Sequence, residues 1–207
     1  MAKLPSNLIL IIAMLAAQSC AATSSTDRAV CPSRTADDYY FARSTIDQTD
    51  KRSDKFVRRW YSKHLIAMAE PSISCGRPGH VLRFTWLRTF HHPVVVKVTY
   101  KGSNALVQAV ELDGAGGYEP GKVLRRTEKT LSVDALKYLK KAFTEGEFDS
   151  ITASEKRNGL DGSEWIVEAS DKGKYHMVVR WSPDNGPIRD IGSRFLALTG
   201  WTFDEVY

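Results

Sequence analysis

Three apolar runs lie so close together between residues 81 and 112 that few folds can accommodate them. In "HVLRFTWLRTF", Leu82, Phe84, Trp86 and Phe90 alternate with Arg83, Thr85 and Thr89; "VVVKVTY" follows after His91-His92-Pro93, and "ALVQAVEL" after "KGSN". Alternation with a period of two marks a strand, and β-branched and aromatic residues suit one. A parallel pair needs a crossover of about a dozen residues or more, which these connections are too short to supply, so the three strands are expected to form an antiparallel meander.

On either side of the meander the period changes. From Thr49 onward Phe56, Val57, Trp60, Tyr61, His64, Leu65 and Met68 recur at helical spacing, with Lys51, Arg52, Lys55, Arg58, Arg59 and Lys63 on the opposite face and Pro71 as the stop. A second helix is expected after Ser132, a good N-cap flanked by the staple residues Leu131 and Leu136; Val133, Leu136, Leu139 and Phe143 form its buried stripe, and Gly146 ends it. "EWIVEA" and "KYHMVVRW", joined by "SDKG", read as a hairpin. A last helix begins at Pro187, carries Ile188, Ile191, Phe195 and Leu198, and stops at Gly200. The order α-βββ-α-ββ-α argues an α+β fold: an antiparallel sheet built from a three-stranded meander and a later hairpin, with helices packed on one face. At 207 residues and 43% apolar content the chain can fill one core. A single domain is expected over residues 49–207, preceded by a tether and N-terminal arm over residues 20–48 whose aromatic cluster is "DDYYFAR".

Residues 1–19 read as a signal peptide. Lys3 precedes an apolar stretch from Leu8 to Ala17, far shorter than the roughly 20 residues a membrane-crossing helix requires. "AQSC" resembles the lipobox of bacterial lipoproteins, which makes Cys20 the candidate lipidation site, although Ala17 stands where leucine is usual; cleavage after Ser19, Ala21 or Ala22 fits equally. Export leaves Cys31 and Cys75 in an oxidising compartment, where a disulfide is expected. It would close a loop of about 45 residues and contribute roughly 4 kcal/mol on the chain-entropy model. Two buried free thiols are the alternative.

The net charge of +5 falls to about +4 once Lys3 leaves, and outside the cytoplasm the anionic partners are lipid headgroups and envelope polymers; no nucleic-acid partner is expected. "GGYEPGK", Gly116 to Lys122, fits G-x-x-x-x-G-K. Val123 replaces the magnesium-binding hydroxyl and Pro120 removes an amide donor, so the loop reads as a turn, with no nucleotide and no cofactor. His91 and His92 occupy a strand connection without H-E-x-x-H or H-x-H, and no metal is expected; His176 reads as a half-exposed sheet residue. Acids gather at two loops that share Leu-Asp-Gly, Glu111, Asp113 and Glu119 in one stretch, Asp161, Glu164 and Glu168 in the other. If the loops met, two carboxylates about 5 to 9 Å apart could serve a glycoside hydrolase, or several could bind calcium, although acids beside glycines more often serve as turn residues and partners for lysine and arginine. Neither G-x-S-x-G nor S-x-x-K with its supporting motifs occurs.

The strings "WLRTFHHPVVVKV", "LDGAGGYEPG", "GLDGSEWIVEA" and "YHMVVRWSP" resemble those of an uncharacterised group of exported bacterial envelope proteins, over residues 80 to 201. The resemblance implies an envelope location and one domain, and carries no activity or site residue. The expectation is a binding or interaction module of a bacterial envelope, periplasmic or lipid-anchored, whose partner is an envelope protein or polymer. The alternatives are a hydrolase using the loop carboxylates with His91, His92 or His176, and a membrane-surface module using the basic helix.

Overall fold

The computed structural model describes residue 1 and residues 40–74, 79–155, 159 and 161–207. The leader, most of the arm, Cys20, Cys31 and Cys75 lie outside the described residues, so the lipidation and disulfide assignments lie there too.

The described chain is α+β: α1 (Lys51–Ala67), β1 (His80–Arg88), β2 (Val94–Lys101), β3 (Asn104–Leu112), β4 (Val123–Leu131), α2 (Val133–Glu145), β5 (Ser163–Asp171), β6 (Lys174–Trp181) and α3 (Pro187–Thr199). The six strands form one antiparallel sheet in the order β4-β3-β2-β1-β5-β6. The expected meander gains a fourth strand. β4, "VLRRTEKTL", escapes the apolar-period signal because it is an edge strand with most of its side chains in water.

β1 is central, pairing Trp86 with Val94 on one side and with Trp165 on the other, and every residue from Val81 to Arg88 is buried. Leu82, Phe84, Trp86, Val96, Trp165 and Val167 face α2 and α3, which contribute Leu139, Ile191 and Phe195 to that core. Gly192 lets α3 close on the sheet, since a Cβ there would stand 2.4 Å from the Trp165 ring.

The helices are not all on one face. Tyr61 and Leu65 of α1 and its C-cap Met68, with Tyr40 and Phe41 of the arm, pack against Leu87, Val95, Val110, Ile166 and Met177 on the opposite side of the sheet. Helical periodicity identifies α1 but carries no record of the side it covers. The polar alternates of β1 and β5, which look solvent-facing as sequence, therefore lie beneath a second layer. Arg83 is wholly buried there, held bidentate by Glu168 (Nε to Oε2 2.6 Å, Nη2 to Oε1 2.8 Å) and donating to the Pro71 carbonyl at 2.6 Å. Tyr175 donates to Glu168, and Lys97 pairs with Glu70. Burial works against the Arg83 cation, but Glu168 and Glu70 outweigh it and hold the guanidinium above its usual range.

Asp50 caps α1, accepting from the amides of Arg52 and Ser53. The buried Asp54 carboxylate accepts from Arg58 Nε at 2.7 Å and from the amides of Ser44, Ile46 and Asp47, which ties the arm to the helix. Arg58 is thus buried rather than part of the basic surface.

Candidate ligand groove at the loop end of the sheet

The longer connections, residues 89–93, 113–122 and 182–186, gather at one end of the sheet, while turns as short as residues 102–103 and 172–173 close the other. The glycine-rich stretch is the tip of the β3–β4 hairpin. Asp113, Gly114 and Ala115 donate to the carbonyls of Lys122, Pro120 and Glu119, and Tyr118 to that of Ala115. The tip leans over the β1–β2 connection, where Gly116 donates to His91 at 3.0 Å and Gly117 to Thr89 at 3.1 Å. Every amide from Asp113 to Tyr118 is therefore occupied by a carbonyl of the chain, whereas a phosphate cradle needs such groups aimed at the anion. A Cβ at Gly116 would stand 2.5 Å from the Arg88 nitrogen, so only glycine permits this approach.

The hairpin is clamped to α1. Trp60 Nε1 donates to the Gly116 carbonyl at 2.7 Å, Lys63 pairs with Glu119 at 3.0 Å, and the buried His64 ring lies with Nδ1 3.0 Å from the Trp60 carbonyl and Nε2 3.4 Å from that of Ala115. Burial lowers the His64 pKa below the ordinary imidazole value and outweighs the two carbonyls, which favour the cation.

Between α1, the hairpin tip and the end of β6 runs a groove of about 840 Å³, within the range of small-ligand sites. Arg52, Lys55, Arg59 and Lys63 line it from successive turns of α1. Aromatic and apolar side chains complete it: Phe56, Trp60 and Ile66 from the helix, Tyr118 from the hairpin, Trp181 from β6. Phe56 is 70% exposed and Tyr118 57% exposed, well above what a side chain serving only the core would show. Tyr118 also stacks on Phe90, with ring centroids 6.0 Å apart. The floor is Thr89, whose amide and hydroxyl both donate to the Gly162 carbonyl. A glycine from each Leu-Asp-Gly loop thus meets Thr89, Gly117 donating to its carbonyl and Gly162 accepting from its amide and hydroxyl, while Leu160 lies outside the described residues.

Beside this groove, on the α3 side of the sheet, Glu111 is buried between two arginines. It accepts from Arg125 Nε, lies 3.6 Å from Arg88 Nη2, and approaches His92 Nδ1 at 3.7 Å. Arg88 stacks over Trp86 at 4.2 Å and Arg125 over Trp201 at 4.3 Å. This cluster borders a smaller hollow of about 350 Å³ shared by Phe90, His91 and Leu124.

The other residues marked out by sequence are dispersed. His91 Nδ1 meets the Tyr207 hydroxyl at 2.7 Å. Asp113 accepts from the Lys122 amide at 2.6 Å and staples its own loop. Glu119 serves Lys63, and Asp161 is exposed on the segment leading into β5. Glu164 is buried on the α1 side. His176 lies on the opposite side, with Nε2 3.0 Å from the Ile151 carbonyl and its ring against Phe148. The carboxylates and histidines do not form one acid–base cleft. Among the described residues no group of three or more His, Cys, Asp or Glu is placed to hold a metal ion, and no helix is long and apolar enough to cross a membrane. No family model matches the chain, and neither a curated protein nor a solved structure is detectably similar to it. The groove is therefore the candidate binding surface.

Sequence reasoning found the cations of α1 but missed Tyr118 and Trp181 as their companions. Those two come from loop and strand ends more than 50 residues away, and no local period signals that they will face a helix.

Proposed function

We propose that this protein is an exported binding module of a bacterial envelope, whose binding surface is the groove between α1 and the glycine hairpin. The ligand class is an anion that also presents apolar or aromatic surface. One observation carries the reading: four cations and four aromatic rings, drawn from three separate elements, line a single open groove. Cations could be a solvated helix face, and exposed rings could be incidental. Their convergence is what neither bland explanation requires.

Helix electrostatics add support. Lys51 and Arg52 stand in the first turn of α1, where the positive end of the helix dipole disfavours cations, and Lys55 follows in the second. Asp50 and Asp54 offset part of this, yet Arg52 and Lys55 have no ion-pair partner among the described residues. Such placement, against local stability and toward a groove, is characteristic of binding residues. The envelope assignment rests on the leader "MAKLPSNLILIIAMLAAQSC".

The test is a fluorescence titration with 8-anilinonaphthalene-1-sulfonate, which joins an anion to fused rings, on the native chain and an Arg52→Glu/Lys55→Glu variant. Saturable binding about tenfold weaker in the variant is expected, from two exposed charge contacts. Because an acid near the start of a helix favours it, the variant should melt no lower than the native chain. Equal affinity in both proteins would remove the groove from the account.

A further inference from the structure

Phe56, Ile66, Phe90, Tyr118, Val123 and Leu124 are all exposed, and all lie on the groove or on the loop end beside it. They are contiguous: Phe56, Ile66 and Tyr118 line the groove, Tyr118 stacks on Phe90, and Phe90 and Leu124 share the adjoining hollow. Arg52, Lys55, Arg59 and Lys63 flank this ridge on one side, with Lys122 exposed at the base of the hairpin. Exposed acids interrupt it at Asp113, which caps the Lys122 amide, at Glu119, which is paired with Lys63, and at Asp204, which lines the hollow.

We infer that this end of the molecule docks on the surface of an anionic phospholipid bilayer, with the aromatic and aliphatic tips entering the headgroup region and the α1 cations meeting lipid phosphates. The inference rests on the groove being the binding surface, and it names what the groove meets. Charge complementarity selects the occupant. Arg52 and Lys55, with no ion-pair partner among the described residues, share a helix face with Arg59 and with Lys63, which Glu119 already pairs, and that face matches a plane of regularly spaced anions. The largely exposed rings of Phe56 and Tyr118 favour an interface that offers hydrocarbon as well as charge. A soluble polyanion would use the cations and leave the ridge in water. Attachment is peripheral, since no described helix is long and apolar enough to cross a membrane.

Each cation near an anionic leaflet multiplies partitioning by about fivefold, so removing two should weaken binding by about 25-fold before added repulsion. The experiment is pelleting of the full chain with vesicles containing equal parts phosphatidylglycerol and phosphatidylcholine, against vesicles of phosphatidylcholine alone. The leader is common to every variant and cancels in the comparison. Expected are a preference for the anionic vesicles that vanishes toward 1 M salt, where the screening length falls to about 3 Å, a loss of about 25-fold or more in Arg52→Glu/Lys55→Glu, and a further loss in Phe56→Ser/Tyr118→Ser. Equal binding by native and variant chains overturns the inference. So does retention of dextran sulfate or 8-anilinonaphthalene-1-sulfonate without an anionic-vesicle preference, which would leave the groove as the binding surface for a soluble ligand. Failure with vesicles and soluble probes alike would remove both readings.

Discussion

Arg83 shows how one side chain can organise a layer. Its guanidinium sits at the centre of β1 with no exposed surface, and it satisfies Glu168 bidentately, the Pro71 carbonyl directly and Glu70 at 3.7 Å. Truncating one partner of such a pair leaves the other charge buried and uncompensated, so Arg83→Met should cost about 3–5 kcal/mol in urea unfolding. Replacing both groups, Arg83→Met with Glu168→Leu, should recover part of that loss, because the stranded carboxylate is then gone. A double variant less stable than the single would mean that Arg83 acts through Pro71 and Glu70 instead. As sequence, Arg83 was indistinguishable from a solvent-facing residue: the period-two pattern of β1 is intact, and a polar alternate facing water looks the same as one facing a second buried layer. Glu168 was obscured in the same way. Where a strand lies beneath helices on both sides, the pattern reports strand geometry and not solvent.

At the scale of elements, the contact between α1 and the glycine hairpin shapes the groove, and His64 makes that contact sensitive to pH. The folded-state pKa of His64 is depressed by burial, so the fold favours the neutral ring. Its contribution to stability is fully present above the unfolded pKa of about 6.5 and is lost as pH falls through the lower folded-state value. Urea midpoints should therefore decline between about pH 7 and pH 5, and a His64→Gln variant should show a shallower decline. Stability that rises on acidification, with the rise removed by His64→Gln, would mean that the carbonyls of Trp60 and Ala115 hold the ring as a cation. Most elements were legible because each announces itself locally: the meander by alternation, α2 by the Ser132 cap that accepts from the Ala135 amide, α3 by Pro187 and Gly200. β4 was not, since an edge strand has no buried face to mark, and its charges at Arg125, Arg126, Glu128 and Lys129 suit an edge that must not pair with other chains. The side of the sheet that α1 covers was likewise illegible, because it depends on the path of the chain between α1 and β1.

At the scale of the whole molecule, the two faces of the sheet do different work. The α2–α3 side holds most of the aromatic core, including Phe84, Trp86, Trp165 and Phe195. The α1 side holds the Arg83–Glu168 and Asp54–Arg58 pairs, the α3 side holds Glu111 with its two arginines, and the loop end holds the groove. A rigid sheet positioning longer loops at one end is a common plan for a binding protein. The proposed envelope setting makes its own prediction. Intact mass spectrometry of protein recovered from its native envelope should show a trimmed N-terminus, a mass lighter by two hydrogen atoms for a Cys31–Cys75 disulfide, and acyl chains if Cys20 is lipidated; an untrimmed, reduced chain would place the protein elsewhere. The most direct test of the binding surface is amide chemical-shift mapping by NMR during titration with 8-anilinonaphthalene-1-sulfonate. Shifts concentrated on Arg52, Lys55, Phe56, Arg59, Gly117 and Tyr118 are predicted; shifts concentrated instead around Tyr100, Ala105 and Thr130, at the far end of the sheet, would contradict the account.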